Sequence, residues 1–348
     1  MRTAAADQPL LPYTRKYLGS KRQLKDWLAQ TMIARAGLPG SFLDGFCGTG
    51  AVGIAMAARG VPRVVAVDSL RSNCAILRGF GQACPRIGEL LRALNALPPQ
   101  RGYITASFAG TYFTESNCAR MDAAREAIAR MAARAEITGG EHDMLLASFL
   151  LAADRVANTL GQYDAFMKNI SERSVVDGRH VVDERVQTAF TLRPLDPLPG
   201  RLEVMEEDML VAAAHVEVDV AYLDPPYNHR QYCDNYHVLE NLARWEKPLL
   251  SGKTLKFDRA GLKSPFSKRG KAAGALETLV SRILAPHVFL SYSSEGILQR
   301  DEIEAILSAR GDVWFSEIPY PVFGNGAGVS ARRTVKEFLF HLSVKGAG

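Results

Sequence analysis

Short apolar runs recur along this chain, and several stop at an acid or a glycine-rich turn. Ser41 to Phe46 reads as a buried strand and leads into GFCGTGAVGIAMAARG, where Val52, Ile54, Ala55 and Met56 begin a helix. Arg63 to Val67 forms a second strand ending in Asp68, with a helix starting near Ser72. Arg201 to Met205 reads as a strand, Glu206 to Asp208 follow it, and Met209 to His215 reads as a helix. Val218 to Leu223 is a further strand, which delivers Asp224, and His229 to Trp245 after it is largely helical. His287 to Tyr292, Asp301 to Ala309, Val313 to Ile318 and Val335 to Val344 read as strand, helix, strand, strand, the last two an antiparallel hairpin. Nearer the start, Leu24, Trp27, Leu28 and Ile33 carry helical spacing behind the break at Gly19 and Ser20.

From Gly81 to about Pro199 the strand and helix alternation stops. Arg120 to Ile137 is a helix whose arginines Arg120, Arg125, Arg130 and Arg134 recur at mostly helical spacing. Glu141 to Leu160 is a second helix, acidic and then apolar, and Arg179 to Leu195 is partly extended before Pro194, Pro197 and Pro199 close the segment. Several acids in the region fit a solvated face for the arginine stripe, while Arg155, Asn158, Tyr163 and Lys168 form a denser group suited to a groove. The expected organisation is one α/β domain of about seven strands over residues 13–80 and 200–348. It carries a mainly helical insertion over 81–199 and a loose tail over 1–12.

Composition changes this picture little. A chain of 348 residues with 47% hydrophobic content can bury a full core and an added lobe. The net charge of +5 permits a nucleic-acid partner without requiring one. Its distribution says more: Lys253, Lys256, Arg259, Lys263, Lys268, Arg269 and Lys271 face only Asp258. With Phe257 and Phe266 this basic, loop-rich stretch suits a phosphate backbone, and a mobile solvated loop accounts for it equally well. The five cysteines show no CxxC spacing, which argues against a disulfide framework or a structural zinc and for a reducing, cytoplasmic setting; no metal is expected. The opening residues lack an apolar core of signal-peptide length, and the most apolar run, Met144 to Ala153, is too short to span a bilayer.

In an open α/β sheet, ligands bind beyond the carboxyl ends of the strands. The glycine loop, Asp68, Asp208 and Asp224 all follow expected strands, so they should converge on one crevice. Gly45, Gly48 and Gly50 let the backbone turn tightly and approach a ligand. Asp68 stands where a ribose-binding acid is expected, about twenty residues on; a helix cap is the other reading, as turn formation is for Asp44. No GK[ST] follows the loop, so an adenosine-containing ligand need not carry phosphates. Asp224, Pro225, Pro226 and Tyr227 make a stiff elbow, because Pro226 has a fixed φ and no amide hydrogen and biases Pro225 towards extended backbone. A carboxylate, unpaired carbonyls and an aromatic ring suit a planar ring that bears an amine.

The order KYLGSKRQL, FLDGFCGTG, DPPYNHRQY resembles the DNA adenine-N6 methyltransferases of the alpha group. RQYCDNYHVLENL and LSYSSEGI are similar to a branch of site-specific adenine methylases. The resemblance implies a class I S-adenosylmethionine-dependent methyltransferase fold, with the insertion as target-recognition region. It implies S-adenosylmethionine over the glycine loop, with Phe46, Gly48 and Gly50 around it. Tyr17 and Lys21 would meet the methionine carboxylate, Asp44 the methionine amine, Asp68 the ribose and Asp208 the adenine. The first motif departs from the family at Ser20, where a second glycine is usual. Double-stranded DNA is the implied partner, with a cognate restriction endonuclease in the same system. Asp224 and the Pro225 carbonyl would accept the two hydrogens of the target amine, Tyr227 would stack on the flipped base, and Asn228, Arg230, Gln231, Asn235 and Tyr236, with Lys253, Lys268 and Arg269, would hold the nucleotide or its phosphates. Tyr236 and His237 suit helix packing as well. No Pro-Cys pair exists for cytosine carbon-5 chemistry. An RNA adenine methyltransferase and a non-catalytic binding protein with this fold are the rival readings.

Overall fold

The computed structural model describes residues 12, 15, 17–159, 161–167, 170, 175–176, 179–180, 184–198, 200, 202–321 and 334–346. The expected tail thus lies outside the described residues up to position 11, as does Lys168. The strands are β1 (Ser41–Gly45), β2 (Arg63–Asp68), β3 (Val175–Val176), β4 (Arg179–His180), β5 (Leu202–Glu206), β6 (Val220–Leu223), β7 (His287–Ser293), β8 (Gly311–Pro321) and β9 (Thr334–Val344). The first six α-helices are α1 (Lys25–Ala36), α2 (Ala51–Ala57), α3 (Arg71–Phe80), α4 (Ile87–Asn95), α5 (Tyr103–Phe108) and α6 (Glu115–Ala133). The rest are α7 (Gly139–Val156), α8 (Met209–Ala212), α9 (Tyr232–Asn235), α10 (His237–Arg244), α11 (Arg269–Arg282) and α12 (Arg300–Ser308). Among the described residues no helix is long and apolar enough to cross a membrane.

The described residues divide into two compact units. The second, made of Lys21–Leu70, Pro199–Cys233 and Arg259–Gly348, holds a seven-stranded sheet in the order β5-β2-β1-β6-β7-β9-β8. Strands β5, β2, β1, β6 and β7 pair in parallel, whereas β9 runs antiparallel to β7, and β8 to β9. This is the Rossmann-like class I architecture with a C-terminal antiparallel hairpin that the sequence predicts. Apart from Asp44, the inner residues of β1, β2 and β6 are apolar or aromatic and buried, as parallel strands covered on both faces must be. On one face, Leu43, Val65, Val67, Ala221 and Leu223 share a core with Ala212 of α8, Leu276 and Leu279 of α11, and Ile303 and Leu307 of α12.

Register decides where the chemistry can sit. Gly45 pairs with Val67 on one side and Leu223 on the other, so β1, β2 and β6 end level. The chain turns outward from β1 towards β2 on one side and β6 on the other, which makes their carboxyl ends the topological switch point.

The first unit comprises the described residues of Met1–Ser20, Arg71–Leu198 and Asp234–Asp258. It takes in the helical insertion together with α3 and α10, which the sequence reading left in the catalytic domain. The carboxylate of Glu240, fully buried on α10, accepts the Arg71 and Ser72 amides and so caps α3. Thr138 and Glu141 close a capping box at the start of α7. Asp122, fully buried on α6, accepts from the Gly102, Ile104 and Thr105 amides and from the Thr105 hydroxyl. Arg125, one of the striped arginines, is buried too, bonding the Leu242 and Ala243 carbonyls rather than lying on a solvated face.

Three elements differ from the expected pattern. Helix α8 stops at Ala212, short of His215. The helix expected over His229–Trp245 is two pieces, α9 and α10, divided at Tyr236. Helix α11, whose buried Ala272, Ala275, Leu276, Leu279 and Val280 keep strict helical spacing, was not anticipated at all.

Helices α3 and α7 pack closely because Gly79 has no side chain. A β-carbon there would overlap the Ala147 methyl and come within 2.6 Å of the Asp143 carbonyl oxygen. Gly79→Ala should therefore destabilise the protein by about 1–3 kcal/mol in thermal or denaturant unfolding. Gly88→Ala, in open surroundings on α4, should be neutral or slightly stabilising. Equal effects at the two positions would show that the close approach carries no energy.

Candidate active site

Asp224 follows directly on β6, and its amide bonds the Gly45 carbonyl at 3.4 Å. Its side chain is 17% exposed, and Oδ1 lies 2.8 Å from Nζ of Lys21. That ammonium also stands 3.1 Å from Oε1 of Glu337 on β9. Lys21 is thus held between two carboxylates, and 7% of its side chain is exposed. Burial opposes its charge, but Asp224 and Glu337 outweigh burial and hold its pKa well above the ordinary lysine value. Burial pushes Asp224 up to about 6, with Lys21 pulling it down and Glu337 pushing it up further. The ammonium keeps this carboxylate ionised near neutrality although it is largely enclosed.

Downstream, Pro225 is buried and Pro226 and Tyr227 are half-buried. The Tyr227 carbonyl accepts from the Ile297 amide at 2.8 Å, and its ring stands edge-on to Tyr292 at 6.2 Å. Lys21 Nζ lies 5.9 Å from the Tyr227 ring centroid. The stiff elbow is therefore pinned at both ends, to β1 and to the turn after β7.

The glycine loop leaves β1 beside it. Phe46 has φ 64°, and Gly48 and Gly50 have φ 53° and 69°. The two glycines sit where side chains are strained, and Phe46 occupies the left-handed region at a cost of order 1–3 kcal/mol. The Phe46 ring is half-buried and packs edge-on against Phe266 at 5.2 Å. The Cys47 amide bonds the Val67 carbonyl, and the Gly50 amide the Cys47 carbonyl, which ties the loop to β2. Oδ2 of Asp68 accepts from the Gly48 amide and Oδ1 from the Leu70 amide. Since Glu240 takes the Arg71 and Ser72 amides, Asp68 is a support of the glycine loop rather than the cap of α3. Asp44 accepts from the Gly53 amide at 2.8 Å and is buried at 2% exposure. Burial pushes it up to about 8, relieved by that amide and reinforced by the charges of Asp224 and Asp68. Asp208 is exposed and caps α8 through the Leu210 amide.

Of the substrate candidates in this unit, Asn228 accepts from the Arg230 amide in a tight turn, and the Arg230 side chain is exposed. Gln231 is spent within the chain: Nε2 donates to the Ser264 carbonyl and Oε1 accepts the Ser264 amide, so it clamps the following loop instead of standing free for a nucleotide. Lys268 and Arg269 are exposed at the start of α11. Phe266 is buried, which removes it from any contact with nucleic acid.

Tyr17, Asn235, Tyr236 and Lys253 belong to the first unit. Tyr17 and Tyr236 stack at 4.6 Å, the Tyr236 hydroxyl accepts the Leu18 amide at 2.7 Å, and the Tyr17 hydroxyl accepts from Asn73 at 3.1 Å. Tyr236 is 1% exposed with ring and hydroxyl both engaged, so the structure gives it helix packing rather than base contact. His237 is likewise buried, its ring nitrogens against the Asp234 and Thr254 carbonyls. Asn235 is buried with Nδ2 unpartnered, Lys253 is exposed, and Phe257 is buried. In the denser group of the insertion, Tyr163 bonds Asp154 and Asn158 bonds the Thr111 and Met167 carbonyls, so both are structural.

A match to the D12 class N6 adenine-specific DNA methyltransferase family runs over residues 17–306. The chain belongs to that family. Relatives of this D12 methyltransferase include the type II methyltransferase M.NlaIII of Neisseria lactamica, 31% identical over 85% of this chain and 88% of that protein. The type II methyltransferase M.CviAII of Paramecium bursaria Chlorella virus 1 is 30% identical over the same shares. The modification methylase StsI of Streptococcus sanguinis is 33% identical over 70% of this chain, which spans only 37% of that longer protein. Site-specific methylation of adenine in DNA, which the resemblance implies, is the activity of this D12 family.

One residue of the site escaped the sequence reading. Glu337 lies in VKEFLFHL, where Val335, Leu339 and Phe340 are buried. A lone acid at an inward position of an apolar strand was the available signal, because such a charge is unfavourable without a partner.

The Asp44 environment makes a prediction about stability. An unfolded aspartate ionises near 3.8, whereas folded Asp44 does so only near 8. Between those values the folded protein holds the extra proton, so the stability carried by this group falls as pH rises. Asp44→Asn removes that loss and keeps an oxygen for the Gly53 amide. Its melting temperature should gain on the native protein by at least about 2 °C more at pH 8 than at pH 5. Parallel pH dependences for the two proteins would contradict the burial argument.

Proposed function

We infer that this chain transfers a methyl group from S-adenosylmethionine to the 6-amino group of adenine at a specific sequence in double-stranded DNA, with the target base turned out of the stack. The observation that carries this reading is the Asp224 elbow, a half-buried carboxylate paired with the buried ammonium of Lys21 at the switch point of the sheet. The residues present fit such a methyl donor. Turned glycines at positive φ leave room for a ligand against the backbone, and two carboxylates, Asp44 and Asp68, stand at the ends of adjacent strands. Asp44 matches the donor's ammonium, Asp68 its ribose hydroxyls and Asp208 its adenine. Phe46 offers an apolar wall. Lys21 is committed to Asp224 and Glu337 here, which argues for a role at the target amine before one at the donor's carboxylate.

S-adenosylmethionine, when bound, supplies a methyl group on a sulfonium and retains as a thioether the electron pair of the broken bond. The residues act on the other reactant. The adenine amine is a poor nucleophile because its lone pair is delocalised into the ring. Lys21 takes Oδ1 of Asp224, and no hydrogen bond to Oδ2 is found among the described residues. Oδ2 and the Pro225 carbonyl would accept the two amine hydrogens, favour a pyramidal nitrogen and stabilise its developing positive charge. After the new nitrogen–carbon bond forms, the nitrogen releases one proton, which Asp224 can receive and pass to water. The pinned elbow holds this geometry, and positioning supplies much of the acceleration. Tyr227 would stack on the flipped base, since the amine is out of reach inside a duplex. Exposed Arg230, Lys268 and Arg269 suit DNA phosphates. The type II names of the relatives support a modification role beside a cognate restriction endonuclease.

Transfer of tritiated methyl groups to adenine-containing duplex DNA, beside structured RNA, tests the reading. DNA alone should be labelled, and labelling of RNA alone would overturn the substrate. Asp224→Ala should lower transfer by at least about 100-fold while leaving cofactor affinity, measured by calorimetry, nearly unchanged. Loss of cofactor binding instead would move that carboxylate to the donor's side of the reaction.

A further inference from the structure

Glu337 is the least expected charge in this fold. It sits on β9 opposite Ser293 of β7 and Ile318 of β8, at 5% exposure. Its Oε1 meets Lys21 Nζ at 3.1 Å and accepts from the hydroxyl of Ser291, which is fully buried. Lys21 and Glu337, both buried, and the half-buried Asp224 together form a group with one positive and two negative charges. Pairing Lys21 with Asp224 alone would balance the charge, so folding has no need of the second carboxylate, and its burial is costly.

We propose that Glu337 is a positioning residue for the methyl transfer: it shares the Lys21 ammonium, so that Asp224 stays ionised without committing its acceptor strength wholly to the lysine. The proposal rests on Asp224 being the acceptor for the target amine. A carboxylate locked to an ammonium by a full charge-assisted bond is a weaker acceptor for a second donor. A carboxylate left beside another carboxylate with no ammonium between them takes up a proton and stops accepting. Glu337 places Asp224 between these extremes, and Ser291 fixes Glu337 in turn.

The groups coupled to Asp224 come from four elements. Lys21 precedes α1, Glu337 is on β9, Tyr222 on β6 and Asp44 on β1, while Asp68 of β2 acts on Asp44. The Tyr222 hydroxyl is buried, and burial with the Asp224 charge holds its pKa well above the ordinary tyrosine value, so it stays neutral throughout the working range. Asp44 also changes charge near neutrality. Its contribution is separated by repeating the measurements in an Asp44→Asn background.

Two substitutions should move the acid limb of the kcat profile in opposite directions. Glu337→Gln removes a negative neighbour and should shift it down by about one unit. It should also lower the plateau kcat about 10-fold, because Asp224 is then bound tightly to Lys21. Lys21→Gln removes the positive neighbour and should shift the limb up. In Glu337→Gln, the KM for the donor and its affinity by calorimetry should stay near the native values. Ser291→Ala leaves more charge on Glu337 to draw Lys21 from Asp224, so its limb should also move up, and it serves if Glu337→Gln does not fold. Carboxylate carbon-13 resonances of the free protein, with Asp224→Asn identifying the signal, should show the same order of titrations without any turnover. Opposite shifts in that spectrum support the proposal. Unchanged Asp224 titration with only a lower melting temperature in Glu337→Gln would overturn it and leave Glu337 a counter-ion for folding. If the native protein labels no adenine in any DNA, the reaction reading fails, and the carboxylate titrations still decide whether Glu337 tunes Asp224.

Discussion

The ion contact between Lys21 and Asp224 is what the chemistry of this protein depends on. An acceptor for an adenine amine must be charged, and it must also be dry, because water would compete for the same oxygens. These demands conflict, since burial alone drives a carboxylate towards its neutral form. Lys21 resolves the conflict at 2.8 Å by supplying the opposite charge from within the same unit. Glu337 then limits how far that charge belongs to Asp224. The elbow that opened as a stiff presentation of an acid becomes one end of a three-membered charge relation anchored on the last strand of the sheet.

The sheet explains why these groups can meet. Strand β6 brings Asp224 to the carboxyl edge level with Gly45, where the glycine loop leaves β1. The antiparallel hairpin serves a further purpose: by reversing direction, β9 returns Glu337 to the same edge as the ends of the parallel strands, opposite Ser293 at the end of β7. A parallel strand in that place would have presented its residues at the edge only at its own end, without a partner strand to cover it. The reversed hairpin is therefore part of the site as well as a way of finishing the sheet.

Much of this was legible from local pattern. The runs that became β1, β2 and β6 are apolar and buried on both faces, which leaves little ambiguity, and the acids at their ends follow from strand length alone. Family resemblance then gave these residues chemical roles. What was missed needed distant partners. The break at Tyr236 arises where its ring stacks on Tyr17 and its hydroxyl takes the Leu18 amide, contacts that no window around residue 236 contains. Gln231 looked like a substrate ligand because its clamp on Ser264 lies in a loop without periodicity. Helix α11 was hidden for another reason: Gly270 and Gly274 lower its helical propensity, yet its buried residues keep helical spacing. Arg125 read as surface because its partners are backbone carbonyls at the end of α10, which leave no trace in sequence.

The three acids at the strand ends show how one residue type serves different tasks. Asp68 has two amides to accept from, so its charge is spread over the loop that it supports. Asp44 has one amide and deeper burial, and it is the acid that burial raises to about 8. Such a group charges readily only when a cation arrives, which suits a partner that brings its own positive charge. Among the described residues Asp224 has a lysine on its carboxylate rather than an amide, and it ionises earlier, near 6. Its charge is thus ready before a neutral amine reaches it. Neighbouring titratable groups whose surroundings push them apart in this way mark a division of labour. Here the division follows from what each carboxylate is given to hold: a loop, a cation still to come, or a lysine it must share.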